Sequence, residues 1–135
     1  MRKFNNTLKN YPEKILLAWA EAINGNTKIR EFLANNGYPE LAIFCFALRN
    51  QDTARTWLVE KKYMHLMALI SGAEGDEDAI EWLNRFDFKT LAKVALAGDN
   101  DLAAFKWLQS KDILFARIAL EIRTVKNEIE DSNVD

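Results

Sequence analysis

The sequence predicts an all-α fold: an α-solenoid of about four and a half stacked 25-residue helical hairpins, with capping segments at both ends. Three observations carry this prediction. Trp57, Trp82 and Trp107 stand 25 residues apart, each followed by leucine, and one step back stands Phe32-Leu33. A fixed period of that size marks stacked units. Apolar residues recur at the i, i+3, i+4 spacing of helices, and no period-two strand pattern appears. Only 5 glycines and 2 prolines interrupt 135 residues, which leaves few helix breakers.

The elements follow in order along one chain, 1–135, read as a single helical-repeat domain. Residues 1–12 are expected to form an N-terminal cap through Phe4, Leu8 and Tyr11, and Pro12 suits a helix start. The repeats are 13–37, 38–62, 63–87 and 88–112. Position 4 of each unit reads Leu16, Leu41, Leu66, Leu91 and, in a partial fifth unit, Ala116. Position 7 reads Trp19, Phe44, Leu69, Val94 and Ala119, and position 8 Ala20, Cys45, Ile70, Ala95 and Leu120. These make one apolar stripe on a first helix of about ten residues. Position 10 stays small (Ala22, Ala47, Gly72, Ala97), which lets helices approach closely. A polar break follows, as in Asn24-Gly25-Asn26 or Glu74-Gly75-Asp76, where Gly or Asn suits the left-handed residue that ends a helix. Asn26, Asp52, Asp76 and Asp101 are expected N-caps of the second helices. Each second helix carries Ile29, Ala54, Ala79 or Ala104 at position 17 and the aromatic-leucine pair at positions 20 and 21. Segment 113–130 reads as a C-terminal capping helix with one face turned to water, and 131–135 as a flexible tail. A single hairpin cannot bury its apolar face alone, so neighbouring units must stack.

The stretch Asn100-Asp101-Leu102-Ala103-Ala104-Phe105-Lys106-Trp107-Leu108-Gln109-Ser110-Lys111-Asp112 resembles the turn and outer helix of an ankyrin repeat, and residues 75–87 are similar. No Thr-Pro-Leu-His motif opens the first helix, and a 25-residue unit has no room for the β-finger of a repeat of about 33 residues. The resemblance implies ankyrin-like helix-pair stacking and a non-catalytic protein-binding role.

Composition narrows the function classes. A net charge of −2 argues against a sequence-independent nucleic-acid binder, which carries a basic excess. Helical-repeat proteins that read or process nucleic acids also use longer units and basic grooves. No run of about 18 apolar residues predicts a membrane span. The basic opening lacks an apolar core, so no secretory signal is expected. A lone cysteine, Cys45, excludes an intramolecular disulfide and suits a cytoplasmic setting, that of a host cell included.

The candidate site comes from an irregularity. Positions 2, 6 and 9 of the first helices should face outward. In unit one they are Lys14, Ala18 and Glu21, but in unit two they are Pro39, Ile43 and Phe46. The run 41–48 is apolar all round, and a helix of that kind is either fully buried or presents a patch. Met64 and Met67 flank this face in unit three. Ile43, Phe46, Met64 and Met67 are therefore candidate partner-binding residues. The alternative is that the N-terminal segment or a second copy, making a homodimer, covers them. The tryptophans, beside leucine on the stripe, read as packing rather than ligand platforms. Lys89, Lys93 and Arg117 read as a solvated basic face that could also meet an acidic partner.

Chemistry finds no foothold. His65 is the single histidine, at an expected outward position, whereas Cys45 lies in a core column, so the two should point apart. The acidic loop 74–78 lacks the ligand alternation of a calcium loop. There is no phosphate-cradling glycine loop and no nucleophile elbow. The expectation is a non-enzymatic protein-protein interaction module without cofactor or metal, its partner protein unidentified.

Overall fold

The computed structural model describes residues 11–132. The expected contributions of Phe4 and Leu8 to an N-terminal cap lie outside the described residues. Among those described, every regular element is a helix: α1 (Glu13–Ile23), α2 (Thr27–Asn35), α3 (Pro39–Leu48), α4 (Asp52–Glu60), α5 (Met64–Ala73), α6 (Glu77–Arg85), α7 (Lys89–Gly98), α8 (Leu102–Lys111) and α9 (Ile113–Ser132). No described helix is long and apolar enough to cross a membrane.

Turn chemistry sets the helix ends. Gly25, Asn50, Gly75 and Asn100 end the odd helices α1 to α7, each with φ between 67° and 104°. Gly37, Lys62 and Asp87 do the same after α2, α4 and α6. At the end of α1 the Gly25 N–H donates to the Ala22 carbonyl and the Asn26 N–H to the Glu21 carbonyl, 3.1 Å each, a Schellman closure. The pairs recur at Asn50/Gln51, Gly75/Asp76 and Asn100/Asp101. The leucine of each aromatic-leucine pair has a second task. Carbonyls of Leu33, Leu58 and Leu83 accept the N–H of Tyr38, Tyr63 and Phe88, at 2.9, 2.8 and 2.8 Å, which sets the start of the next odd helix. Asn26, Asp76 and Asp101 cap α2, α6 and α8. Asp52 does not cap; it is the first helical residue of α4, and Gln51 stands at the N-cap without a side-chain bond. There its charge favours the positive end of the helix dipole instead.

Neighbouring helices pack in sequence order, and each even helix lies against two odd ones: α2 on α1 and α3, α4 on α3 and α5, α6 on α5 and α7, α8 on α7 and α9. Odd helices meet at matching positions. Trp19 of α1 meets Phe44 of α3 edge-on at 5.0 Å, both at position 7. The array closes on itself, because α9 packs against α1 as well as α7 and also reaches α3. Arg117 of α9 forms an ion pair with Glu21 of α1 across this join.

The core follows the columns. Positions 4 and 7 are buried in all five odd helices, and the position-21 leucines, Leu33, Leu58, Leu83 and Leu108, are fully buried. A Cβ on Gly72 would stand 3.0 Å from the Ala95 Cβ and 2.7 Å from the Ile80 Cδ1, so close approach at position 10 does require a small residue. The packing also corrects two expectations. His65 is fully buried rather than outward, its ring packed against Tyr63 and Phe88, and Ile15 and Glu40 at the same position are buried too. Leu120 is 38 % exposed rather than in the stripe, since no described even helix lies across α9 and α1. Trp57, Trp82 and Trp107 are half-buried beside their fully buried leucines and pack against the rim of the core. The capping helix α9 is less simply amphipathic than expected. Its Lys126 is buried; Nζ donates to the Ala73 carbonyl at the end of α5 and pairs with Asp99 at 3.2 Å.

Candidate binding face

Ile43 and Phe46 lie on α3, and Met64 and Met67 on the first turn of α5. All four are half-buried. Ile43, Phe46 and Met67 pack against the core. The Arg30 guanidinium of α2 sits 4.8 Å above the Phe46 ring, a cation–π contact that covers the aromatic face. The same guanidinium donates to the Ala22 carbonyl at 3.1 Å, which fixes it over Phe46.

The corresponding face of α7 shows how such a floor is furnished when it is polar. Lys89 and Lys93, at positions 2 and 6, lie 5.9 and 5.6 Å from the Trp107 ring of α8. Pro39 and Ile43 hold the same positions in unit two, and Met64 and Ala68 in unit three. The outer floor thus runs from aliphatic on α3, through methionine and alanine on α5, to lysine on α7. Arg117 stands apart from the two lysines, committed to Glu21 and, at 3.5 Å, Glu121.

An aromatic cluster links the middle units. Trp57 stacks on Tyr63 with centroids 5.9 Å apart, Tyr63 meets His65 at 6.2 Å, His65 stacks on Phe88 at 5.1 Å, and Phe88 stacks on Trp82 at 5.9 Å. Neither His65 ring nitrogen has a hydrogen-bond partner, and burial pushes the imidazole pKa down to about 4. Burial raises the Tyr63 phenol, with a smaller push from the Glu40 charge. Glu40, itself buried, accepts a hydrogen bond from the Tyr11 hydroxyl.

These environments suppress reactivity. The Cys45 thiol donates to the Leu41 carbonyl at 3.4 Å, and burial lifts its pKa to about 11, far from the thiolate a nucleophile requires. His65, with no polar partner, does not activate it. In the acidic loop, Asp76 accepts the Asp78 and Ala79 amides, and Glu74 pairs with Arg55 at 2.8 Å. Among the described residues no group of three His, Cys, Asp or Glu side chains is placed to hold a metal ion. A cleft of about 430 Å³ opens at the start of α1, α7 and α9, lined by Tyr11, Leu16, Phe88, Lys89, Asp112 and Phe115 among others.

Sequence reasoning missed the buried pair Glu40 and His65. A signal was present: both share position 3 with Ile15 and Phe115, a column with two apolar members. The described residues define an all-helical protein whose helix pairs recur every 25 residues. No family model matches the sequence, and no curated protein or solved structure is significantly similar to it.

Proposed function

We propose that this protein is a non-enzymatic helical-repeat module of the α-solenoid kind, which binds a partner protein through the aliphatic and methionine-bearing part of its outer floor. The observation that carries this reading is the partial exposure of Ile43, Phe46, Met64 and Met67, of which Ile43 and Met64 stand at positions where unit four presents Lys93 and Lys89. Methionine and aromatic side chains supply adaptable, high-energy contacts in such patches. The ankyrin likeness extends to helix-pair stacking and a binding role, and a cytoplasmic setting fits the buried, reduced Cys45.

The test compares affinity capture from the native cell by wild-type protein and by the Ile43→Asp and Met64→Asp variants. A specific partner retained by wild type and lost from both variants, with helical circular dichroism and melting temperature unchanged, supports the reading. Equal capture by all three, or self-association of the wild type at low micromolar concentration that accounts for the face, defeats it. Phe46→Asp is the weaker probe, because Arg30 lies ready to pair with the new carboxylate.

A further inference from the structure

We propose that the seam between α9 and α1 is the docking groove of the chain's own residues 2–10, which take the place of a fifth even helix and close the outer layer. The groove comes first. Every other pair of successive odd helices has an even helix packed across it, while α9 and α1 meet with none among the described residues. The seam is correspondingly apolar and open. Ile113 and Leu120 of α9 are 67 % and 38 % exposed and Leu17 of α1 42 %, three of the seven large hydrophobic side chains exposed among the described residues. Ile113 lies one turn before Arg117, and Leu17 one turn before its ion-pair partner Glu21, so these side chains border the same join.

The occupant follows from register. Residues 27–35, 52–60 and 77–85 form α2, α4 and α6, and α8 begins at residue 102. One further step of 25 back from α2 gives residues 2–10. In the even helices, position 21 is a fully buried leucine and position 17 is Ile29, Ala54, Ala79 or Ala104, the alanines buried. In residues 2–10 those positions are Leu8 and Phe4, and they are the only apolar residues in the segment. Position 19, exposed in all four even helices (Glu31, Thr56, Glu81, Lys106), becomes Asn6. The segment carries three cations, Arg2, Lys3 and Lys9, and the helices of the seam carry Glu13, Glu21 and Glu121, the last two already paired with Arg117. Two residues, Tyr11 and Pro12, connect the segment to α1, and Tyr11 is held by Glu40 and, edge-on at 5.5 Å, by Tyr38. The segment thus leaves from the end of the molecule where even helices hand over to odd ones.

The inference is independent of the binding role proposed for α3 and α5. Its test uses the full-length chain in solution, with a nitroxide attached at Thr124→Cys, one turn beyond Leu120 on α9; Cys45 is buried and does not compete for the label. Docking predicts broadened amide resonances for residues 3–8 and amide exchange there slowed by about tenfold or more relative to an unstructured chain. Leu8→Asp should abolish both effects, while Asn6→Asp leaves them intact. Unbroadened resonances with unprotected amides overturn the proposal. Broadening seen only between labelled and unlabelled molecules in a mixture overturns it in favour of a second copy's segment in the groove.

Discussion

The two halves of the chain build the same helix pair with different materials. In the first two units the odd helices carry Trp19 and Phe44 at position 7 and Ile23 and Leu48 at position 11; in the next two these positions hold Leu69 and Val94, then Ala73 and Gly98. The packing follows the sizes. α5, α7 and α9 lie closely side by side, whereas α1, α3 and α5 touch one another less. A Cβ on Gly98 would stand 3.0 Å from Ile122 and 3.3 Å from the Ala73 Cβ, so the second half has no room left at that layer. The halves also finish their odd helices differently. Arg30 and Arg55, at position 18, donate to the carbonyls of Ala22 and Ala47 at 3.1 and 2.9 Å. Units three and four have Ile80 and Phe105 there, and the Ala73 carbonyl is met by Lys126 from α9. The first two units therefore meet a last-turn carbonyl at position 10 with a local arginine, whereas unit three has one at position 11 met by a lysine from far along the chain.

Removing the wedge should have the largest effect. Trp19→Ala strips a fully buried side chain from its contact with Phe44 and is expected to cost about 3–5 kcal/mol, read by denaturant unfolding. An unchanged midpoint would mean the first half does not depend on bulk. Next comes acid. His65 opens the second half, buried and without a polar partner, with its pKa lowered from 6.5 to about 4. The unfolded chain takes up this proton below pH 6.5 and the folded protein resists until about pH 4, so stability is full above that window and falls as pH drops through it. The loss amounts to roughly 3 kcal/mol and levels off below the folded value. His65→Phe should flatten that part of the stability curve, and a slope that persists in the variant would assign the acid sensitivity elsewhere.

Crowding the tight half ranks third. Gly72→Val drives a side chain against Ala95 and Ile80 and should cost about 1–3 kcal/mol, seen as a lower melting temperature. The smallest change makes unit two resemble unit three: Arg55→Met removes the donor to Ala47 and the pair with Glu74, at an expected cost of about 1 kcal/mol in thermal unfolding. A neutral outcome would show that the arginine is dispensable in unit two, as units three and four do without one.

Much of this was legible because hairpin packing is local. The buried columns at positions 4, 7 and 21, the left-handed turn residues and three of four second-helix caps follow from spacing and side-chain chemistry within a single unit. Closure was not legible. The contact between Glu21 and Arg117 joins residues 96 apart, and no periodicity encodes the curl that brings them together. The burial of His65 between Tyr63 and Phe88, the reach of Lys126 to Ala73 and Asp99, and the exposure of Leu120 likewise depend on how separate units meet, so they escaped along with it. At the candidate face, the apolar surplus of Ile43 and Phe46 was visible in the sequence. The guanidinium lid over Phe46 was not, since it depends on where Arg30 falls after α2 has packed.

The join between α9 and α1 bears on how the molecule comes apart. In a linear array each unit leans only on its neighbours, and the terminal units melt first and alone. Here the first and last described helices hold one another, so neither can peel away without breaking contacts to the opposite end of the chain. Loss of any one unit then loosens the clasp that supports the rest, and unfolding should proceed as one all-or-none event, with coincident transitions whichever part of the molecule is watched.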